Sequence, residues 1–399
     1  MTLIIGLVFW IITIILIALA ALFLTQVLMA SFGKEPADLP EADCARFVVL
    51  MPAHNEAAGI EPVIQNVMKQ LRPNDMLLVV ADNCTDDTFA IASRLGATVI
   101  ERTDLVLRGK GYALDFGVKY LSSNPPDVVI VVDADCQVSE HGLITLARQA
   151  AACGRPIQAK YLMLAAQPAS PRLRFAQFAW LLKNYIRPLG AKKLGLPCTL
   201  HGTGMAFPWA VISSADLASG HVVEDLKLGI DLAVKQLASV FSHQVEVISL
   251  FPIDIDTQAG QRKRWIHGHI GVILREVPHL LSQAWKQKST ALLIFALDCA
   301  IPPMTLFLFL CAGWIFIGGA TLAYAMGTRS SYFVCSLFAC FLPFVLLSVG
   351  IISAWYQHAR ATFGWQDALR VPDFLIGRMA TVFTFVTRRQ KAWNKTDRK

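Results

Sequence analysis

The stretch VVIVVDADC, residues 128–136, places five β-branched apolar residues directly before two carboxylates one residue apart. Such a short run, without alternating polarity, reads as a strand buried on both faces, of the kind found inside a parallel sheet covered by helices. Similar runs precede it at FVVLM (47–51), MLLVVA (76–81) and ATVI (97–100). Amphipathic stretches at 57–71, 85–95, 112–122 and 140–152 alternate with them, which predicts a βαβ layout and an α/β domain. Ligands of open α/β sheets bind at the carboxyl ends of the strands. Here those ends carry His54-Asn55-Glu56, Asp82-Asn83 and Asp133-Ala134-Asp135.

Outside this middle the chain is more apolar. The 399 residues are 55% hydrophobic and only 16% charged, with a mean hydropathy of +0.49, which argues against an ordinary soluble protein. Residues 1–29 are expected to be a transmembrane helix: Leu3–Leu24 is long enough to cross about 30 Å of hydrocarbon and lacks the basic start and cleavage pattern of a signal peptide. A linker at 30–45 leads into a domain at 46–260, and 261–290 reads as an amphipathic helix at the membrane interface. Residues 291–399 form a membrane region with spans near 304–324 and 332–356, an interfacial helix at 371–387 and a basic tail. That tail, RRQKAWNKTDRK (388–399), together with Arg360 and Arg370, contrasts with a single Arg329 around 325–331. The positive-inside tendency therefore predicts a multi-pass protein of the inner (plasma) membrane with the middle domain in the cytoplasm. The net charge of +7 then reports topology or anionic lipid before nucleic acid, and no nucleic-acid partner is expected. Nine cysteines without a CxxC pair argue against a metal–thiolate site.

Asp133 and Asp135 can hold Mg2+ or Mn2+ through oxygen, and such an ion would neutralise a leaving diphosphate; alone, they could equally be solvated acids at a strand end. Glu56 and Asp82 converge on the same sheet edge. RGKGYAL (108–114) puts Lys110 between two glycines, as a flexible loop able to bring a cation to phosphate. HVVEDLKLGIDLAVKQL (221–237) predicts a helix opening on Glu224 and Asp225, either helix-start acids or the position of a general base. On a helix over 261–278, Ile266, Ile270, Ile273, Leu274 and Val277 form an apolar stripe for the membrane interface. Gln261, Arg264 and Trp265 of QRKRW (261–265) share the opposite face, suited to a diphosphate and a sugar ring, with Arg262 and Lys263 at the border for lipid headgroups. A lipid-binding role for all three basic residues is the alternative. Asp298 and Pro302-Pro303 hint at a polar path through the membrane, or more simply at an interfacial acid at a helix start.

The ordered set PAHNE (52–56), ADNCTDDT (81–88), GKG (109–111), DAD (133–135), HGTGMAF (201–207), VED (223–225) and QRKRW resembles glycosyltransferase family 2. The likeness is to its membrane-embedded branch of cellulose, hyaluronan and poly-N-acetylglucosamine synthases, over about 46–285. The resemblance implies a GT-A fold and inverting transfer from a UDP-sugar in cell-surface or extracellular polysaccharide biosynthesis. It assigns Glu56, Asp82 and Lys110 to the nucleotide, Asp133 and Asp135 to the diphosphate and its Mg2+ or Mn2+, and Asp225, with Glu224 beside it, to catalysis. Arg264 would meet the diphosphate, while His201, Gly202, Gln261 and Trp265 would bind the acceptor. Two features depart from the pattern. Val223 stands where many synthases have threonine, and only two spans and a short segment follow the catalytic domain. The basic tail is similar to transferases of bacterial exopolysaccharide assembly that use lipid-linked acceptors. The expected acceptor is thus a lipid-linked saccharide such as a polyprenyl-diphosphate oligosaccharide, or a ceramide or diacylglycerol glycolipid, presented among membrane lipids. The alternative is a processive β-glycan synthase that also translocates its polymer, with a partner membrane protein of polysaccharide assembly supplying further helices. A catalytically dead sensor or scaffold fits poorly with the intact acids.

Overall fold

The structure, a computed structural model, describes residues 2–221, 223–252, 255–328 and 334–370. An apolar helix, α1 (Thr2–Phe32), leads through an extended linker into the sheet. The four expected strands are β1 (Phe47–Ala53), β2 (Met76–Asp82), β3 (Thr98–Arg102) and β4 (Val128–Val131), and the helices between them are α2 (Ile60–Met68), α3 (Thr88–Arg94) and α4 (Lys110–Leu121). A short β5 (Gln137–Val138) and α5 (Gly142–Cys153) follow β4. Successive β1 side chains enter different cores: Val49 and Met51 pack with α2, and Val48 and Leu50 with α4. That two-sided burial is why the strand sequences are continuous rather than alternating.

The second half contains β6 (Ile157–Leu164), α6 (Pro171–Leu181), a five-residue π-turn (Leu182–Ile186), α7 (Arg187–Lys193), β7 (Met205–Pro208), α8 (Trp209–Ile212), α9 (Glu224–Val234) and β8 (Val240–Leu250). Of these, only α9 follows from the sequence reading. Ser170 caps α6 by accepting from the Leu173 amide, with Pro171 in the first turn. The eight strands form one mixed sheet in the order β3-β2-β1-β4-β7-β6-β8-β5. β1 to β4 pair in parallel, whereas β7 runs antiparallel to β4 with Val131 opposite Met205. This reversal brings the turn before β7, which carries the HGTG sequence, against the acids that end β4.

The chain closes with α10 (Ile255–Lys286), α11 (Thr290–Ala300), α12 (Met304–Thr328), α13 (Val334–His358) and α14 (Trp365–Ala368). α1 and α13 are long and apolar enough to cross a membrane. α11 and α12 meet at 86° across Ile301-Pro302-Pro303, where neither proline can continue a helix, and the pair makes a third candidate if it is one broken span. The expected interfacial helix at 371–387 and the basic tail lie outside the described residues.

Two expectations need correction. The buried face of α10 is Val272, Val277, Leu280 and Ala284, packed on α9 and α11; of the predicted stripe only Val277 joins it, and Leu274 is 61% exposed. The helix follows the partner it packs on, because Gly268 lies so close to Val223 that a Cβ there would come within 2.6 Å of its Cγ1. Asp298, expected at a helix start, instead occupies the last turn of α11.

Helix α1 also shares a core with the sheet domain. Its Leu16, Leu19, Phe23 and Val27 are buried in one cluster with Phe175, Phe178, Leu182, Ile186 and Leu189 of the α6–α7 segment and with Phe307 and Leu347 of α12 and α13. The approach to α7 is closest at Gly190, where a Cβ would stand 1.8 Å from the Gln26 carbonyl oxygen. Gln26, Arg187 and Asp298 then tie three elements together: Arg187 Nη2 lies 2.7 Å from Asp298 Oδ1, Gln26 Nε2 donates to the same oxygen at 2.6 Å, and Arg187 Nε donates to Gln26 Oε1 at 3.1 Å.

Candidate active site

The carboxyl ends of β1 and β2 turn sharply. Asn55 and Asn83 sit at φ values of 55° and 52°, a left-handed region that asparagine tolerates better than most residues. Asn55 Oδ1 accepts from the Thr85 amide at 2.6 Å, and the Glu56 amide donates to Thr88 Oγ1 at 2.9 Å. Asp86 belongs to this lattice, accepting from the Ala57 amide at 3.0 Å and from Thr88 Oγ1 at 2.5 Å. Asp82 is buried and paired with Arg102 Nη1 at 2.6 Å. Desolvation pushes its carboxyl above the usual range even though Arg102 pulls the other way.

The remaining candidates meet around one polar cavity of about 190 Å³, whose walls include Lys110, Asp133, Asp135, His201, Gly202, Glu224, Asp225, Gln261, Arg264 and Trp265. Glu56 and Asp82 are not among its lining residues; they border the part of the sheet edge nearer β2. Segments far apart in sequence are thus drawn to the ends of β4 and β7, and the β4–β7 contact is held by the Asp133 amide donating to Thr203 Oγ1 at 3.1 Å.

Lys110 is not in a flexible loop. It is the first residue of α4, ion-paired with Asp133, and its Nζ donates to the Gly202 carbonyl at 2.7 Å. Burial alone would lower its pKa, but Asp133, Glu224 and Asp225 outweigh it and raise it. Gly202 itself has φ +92°, and a Cβ there would be 3.3 Å from Asp225 Oδ2 and 3.7 Å from Lys110 Nζ. Glycine is therefore the residue that lets the turn, the base candidate and the lysine come together.

Glu224 and Asp225 open α9, and Asp225 Oδ1 accepts from the Leu226 amide at 2.8 Å. Desolvation, reinforced by the neighbouring Asp225 and opposed by Lys110, pushes the Glu224 carboxyl up to about 7. Two adjacent carboxylates in one cavity, one of them reluctant to ionise, are an arrangement suited to proton transfer.

Asp133, Asp135 and Cys136 have ligating atoms within 4.8 Å of one another. Burial raises the Cys136 thiol well above its ordinary pKa, so it stays protonated. The available donors are then two carboxylates, a hard oxygen set that fits Mg2+ or Mn2+ and not a thiolate metal.

The structure also adds Trp180, Lys183 and His269, which carry no motif, and sets them around the same cavity as His201. Lys183, in the π-turn, lines the cavity with its ammonium 5.6 Å from the centre of the Trp180 ring; Trp180 in turn lies 4.7 Å from Trp265, ring centre to ring centre. His201 is buried, with Nε2 against Thr199 Oγ1 at 3.1 Å and, among the described residues, no hydrogen-bond partner on Nδ1. Desolvation, then Lys183 and Arg187, hold its imidazole well below the usual range, so it is neutral. His269 Nε2 is likewise buried without a hydrogen-bond partner among the described residues, and burial with the same two cations lowers its pKa to about 4.

A second, mostly apolar cavity of about 180 Å³ adjoins the first, sharing Trp180, Lys183, Arg187, Gln261, Trp265 and His269. Its other walls include Ala176, Ile266, Pro302 and Met304, so it lies at the break between α11 and α12.

Comparison with known families agrees with this architecture. Residues 48–158 match the model for glycosyl transferase family 2, and residues 128–357 match that for glycosyl transferase family group 2. The second match covers more than half of the chain, which belongs to the family 2 group of glycosyltransferases. Its GT-A fold is similar to that of the mannosyltransferase PcManGT from Pyrobaculum calidifontis, solved with GDP-Man and Mn2+, with 18% identity over 95% of this chain and 99% of that one and a TM-score of 0.55. Glucosyl-3-phosphoglycerate synthase from Mycobacterium tuberculosis, solved with Mn2+, UDP and glucosyl-3-phosphoglycerate, matches at 23% identity over 60% of this chain and 79% of that one, with a TM-score of 0.39. A comparison with curated protein sequences gives no match.

Proposed function

We propose that this protein is an inverting transferase that moves a sugar from a UDP-sugar to a lipid-linked saccharide at the cytoplasmic face of the plasma membrane, in the assembly of a cell-surface or extracellular polysaccharide. The observation that carries the reading is the junction of two cavities. The acids, Lys110 and the Gln261–Trp265 group meet in a polar chamber, which runs on into an apolar one beneath Pro302-Pro303. A donor belongs in the first, and an acceptor with an apolar anchor can enter through the second.

Asp225 takes the proton of the acceptor hydroxyl as its oxygen attacks the anomeric carbon; the bond from that carbon to the UDP oxygen breaks with inversion, and UDP leaves with the electron pair. Glu224 supports the base by sharing its site. Lys110 and Arg264 meet the charge growing on the diphosphate, the role that dominates when no covalent nucleophile is used. Asp133 and Asp135 would hold Mg2+ or Mn2+, which supplies further neutralisation of that charge. Glu56 and Asp82 hold the uridine beside the chamber, while His201, Gly202, Gln261 and Trp265 orient the acceptor. If α1, the α11–α12 pair and α13 are each one crossing, the sheet domain and the end of α13 share one side of the membrane, and the basic residues of the sequence after α13 favour the cytoplasm for it.

The test incubates membranes containing the protein with radiolabelled UDP-sugars and Mn2+ or Mg2+, with Asp225→Asn membranes as the blank. Label in a short product extracted by organic solvent supports the reading. Label in long polymer that resists extraction replaces it with processive synthesis. If no donor labels anything above the blank, even with native lipid extract added, the transferase assignment fails.

A further inference from the structure

A third cavity, of about 730 Å³, shares no wall residue with the reaction chamber or with the apolar cavity beside it. It lies between the ends of two apolar helices. One wall is the chain just after α1, from Lys34 to Leu39, and another is the first turn of α11, at Ala291 and Leu292. α1 is long and apolar enough to span a membrane, and α11 opens the bent pair that makes a further candidate. Four cations line the cavity, Lys34, Arg155, Lys192 and Lys193, against two acids, Glu35 and Asp38. The inner cations are met by neutral groups. Arg155 Nε donates to the Ala238 carbonyl at 2.8 Å, and Lys192 Nζ lies 2.8 Å from His243 Nδ1. Burial, then Lys192 itself, lowers the His243 pKa, so that ring is neutral and accepts from the ammonium. Lys193, its side chain only 3% exposed, donates to the Ala30 and Gly33 carbonyls at 3.1 Å each. Glu35 stands 3.8 Å from Lys193 and Asp38 3.6 Å from His243, with side chains 87% and 71% exposed. Contacts so long and so exposed contribute little. Carbonyls and an imidazole therefore satisfy the hydrogen bonds of these cations without neutralising their charge.

We propose that this cavity is a second ligand site, for a phosphate group that takes no part in the reaction, met by Lys34, Arg155 and Lys192. Arginine and lysine are the side chains best suited to phosphate oxygens. The phosphate could belong to a phospholipid of the surrounding leaflet or to a free anion, and the position between two helix ends favours the lipid, whose headgroup lies at that depth. Leu196, Pro197 and Phe295 on the other walls give its glycerol and first acyl carbons an apolar surface. The site does not depend on the transferase reading. It is nonetheless joined to the chamber by α7, which carries Lys192 near one end and Arg187, a wall of the chamber, at the other.

The test titrates three probes onto the purified full-length protein in a neutral detergent, with UDP and Mn2+ present throughout to occupy the chamber. The probes are dioctanoyl phosphatidate, dioctanoylglycerol, which lacks only the phosphate, and inorganic phosphate. Phosphatidate is expected to bind at least about tenfold more tightly than dioctanoylglycerol, the scale of one charge-assisted hydrogen bond. The Lys34→Met/Lys192→Met double variant is expected to lose that margin and keep its dioctanoylglycerol affinity, which shows that the cavity persists. Phosphatidate binding more tightly than inorganic phosphate identifies the lipid as the source. Inorganic phosphate binding as tightly as phosphatidate, and weakened in the variant, identifies the free anion. Equal binding of phosphatidate and dioctanoylglycerol by the unaltered protein overturns the proposal, and that comparison needs no variant. A margin that survives in the double variant also overturns it, because the phosphate then lies elsewhere. UDP binding with Mn2+, titrated separately on the unaltered protein, bears on the transferase reading alone, whatever the phosphate result.

Discussion

Asp225 owes its surroundings to a residue with no side chain. With Gly202 at φ +92° and its missing Cβ only 3.3 Å from Asp225 Oδ2, the carboxylate, the turn and Lys110 fit one small volume. Asp225→Asn is expected to lower transfer by roughly 10²–10⁴-fold, the usual scale for a general base, while UDP still binds; single-turnover assays alongside nucleotide titration separate the two. Glu224 has a pH signature. Burial raises its carboxyl to about 7, so it ionises only above that value, and kcat/KM is expected to fall as the pH drops through it. In Glu224→Gln this limb should move to lower pH, which a pH–rate profile of each form will show. Glu224, Asp225, Asp133 and Asp135 were legible in the sequence because each follows a strand or opens a helix with a clear apolar pattern. Lys183 and His269 were not: in LLKNYIRPLG and WIHGHIG nothing distinguishes them from solvated side chains. Their role arises only when the π-turn and α10 fold to face one another.

Among the elements, the α6–α7 segment joins the two halves of the molecule, because one side of it packs on α1 while the other lines the chamber. Gly190→Leu would drive a side chain into the Gln26 backbone, and overpacking of this kind costs about 1–3 kcal/mol; a lowered thermal midpoint in detergent is the expected result. Asp298→Ala leaves Arg187 buried without its partner, a loss of about 3–5 kcal/mol for a broken buried pair. Chemical denaturation followed by tryptophan fluorescence measures it, and Arg187→Met in the same background should recover part of the stability. β1 to β4 were readable since their apolar runs are unbroken. The strands β6 and β8 escaped because polar residues interrupt them: Lys160 pairs with Glu246 across the two strands, and Gln158 and Ser242 are buried there. The α10 stripe failed for a different reason. Periodicity shows that a helix has an apolar face, but a tertiary partner chooses which face is covered, and here α9 and α11 take the side beginning at Val272.

At the scale of the whole molecule, the sequence suggested a cytoplasmic domain suspended between anchors, whereas one apolar cluster runs from α1 through the α6–α7 segment into α12 and α13. The linker at 30–45 concealed this, since contacts of such long range leave no trace in local composition. The network of Gln26, Arg187 and Asp298 follows from that shared core, and it has a mechanical meaning. Arg187 is at once a wall of the reaction chamber and the brace of a helix long and apolar enough to cross a bilayer. Bilayers whose hydrocarbon thickness does not match a spanning helix make it tilt or deform the surrounding lipid, and a tilt of α1 moves Gln26. In liposomes of graded acyl-chain length, kcat should therefore peak at one thickness, and the peak should flatten in Gln26→Ala. Lipid would then act on this enzyme as a calliper, its hydrophobic depth read at the active site through a single guanidinium.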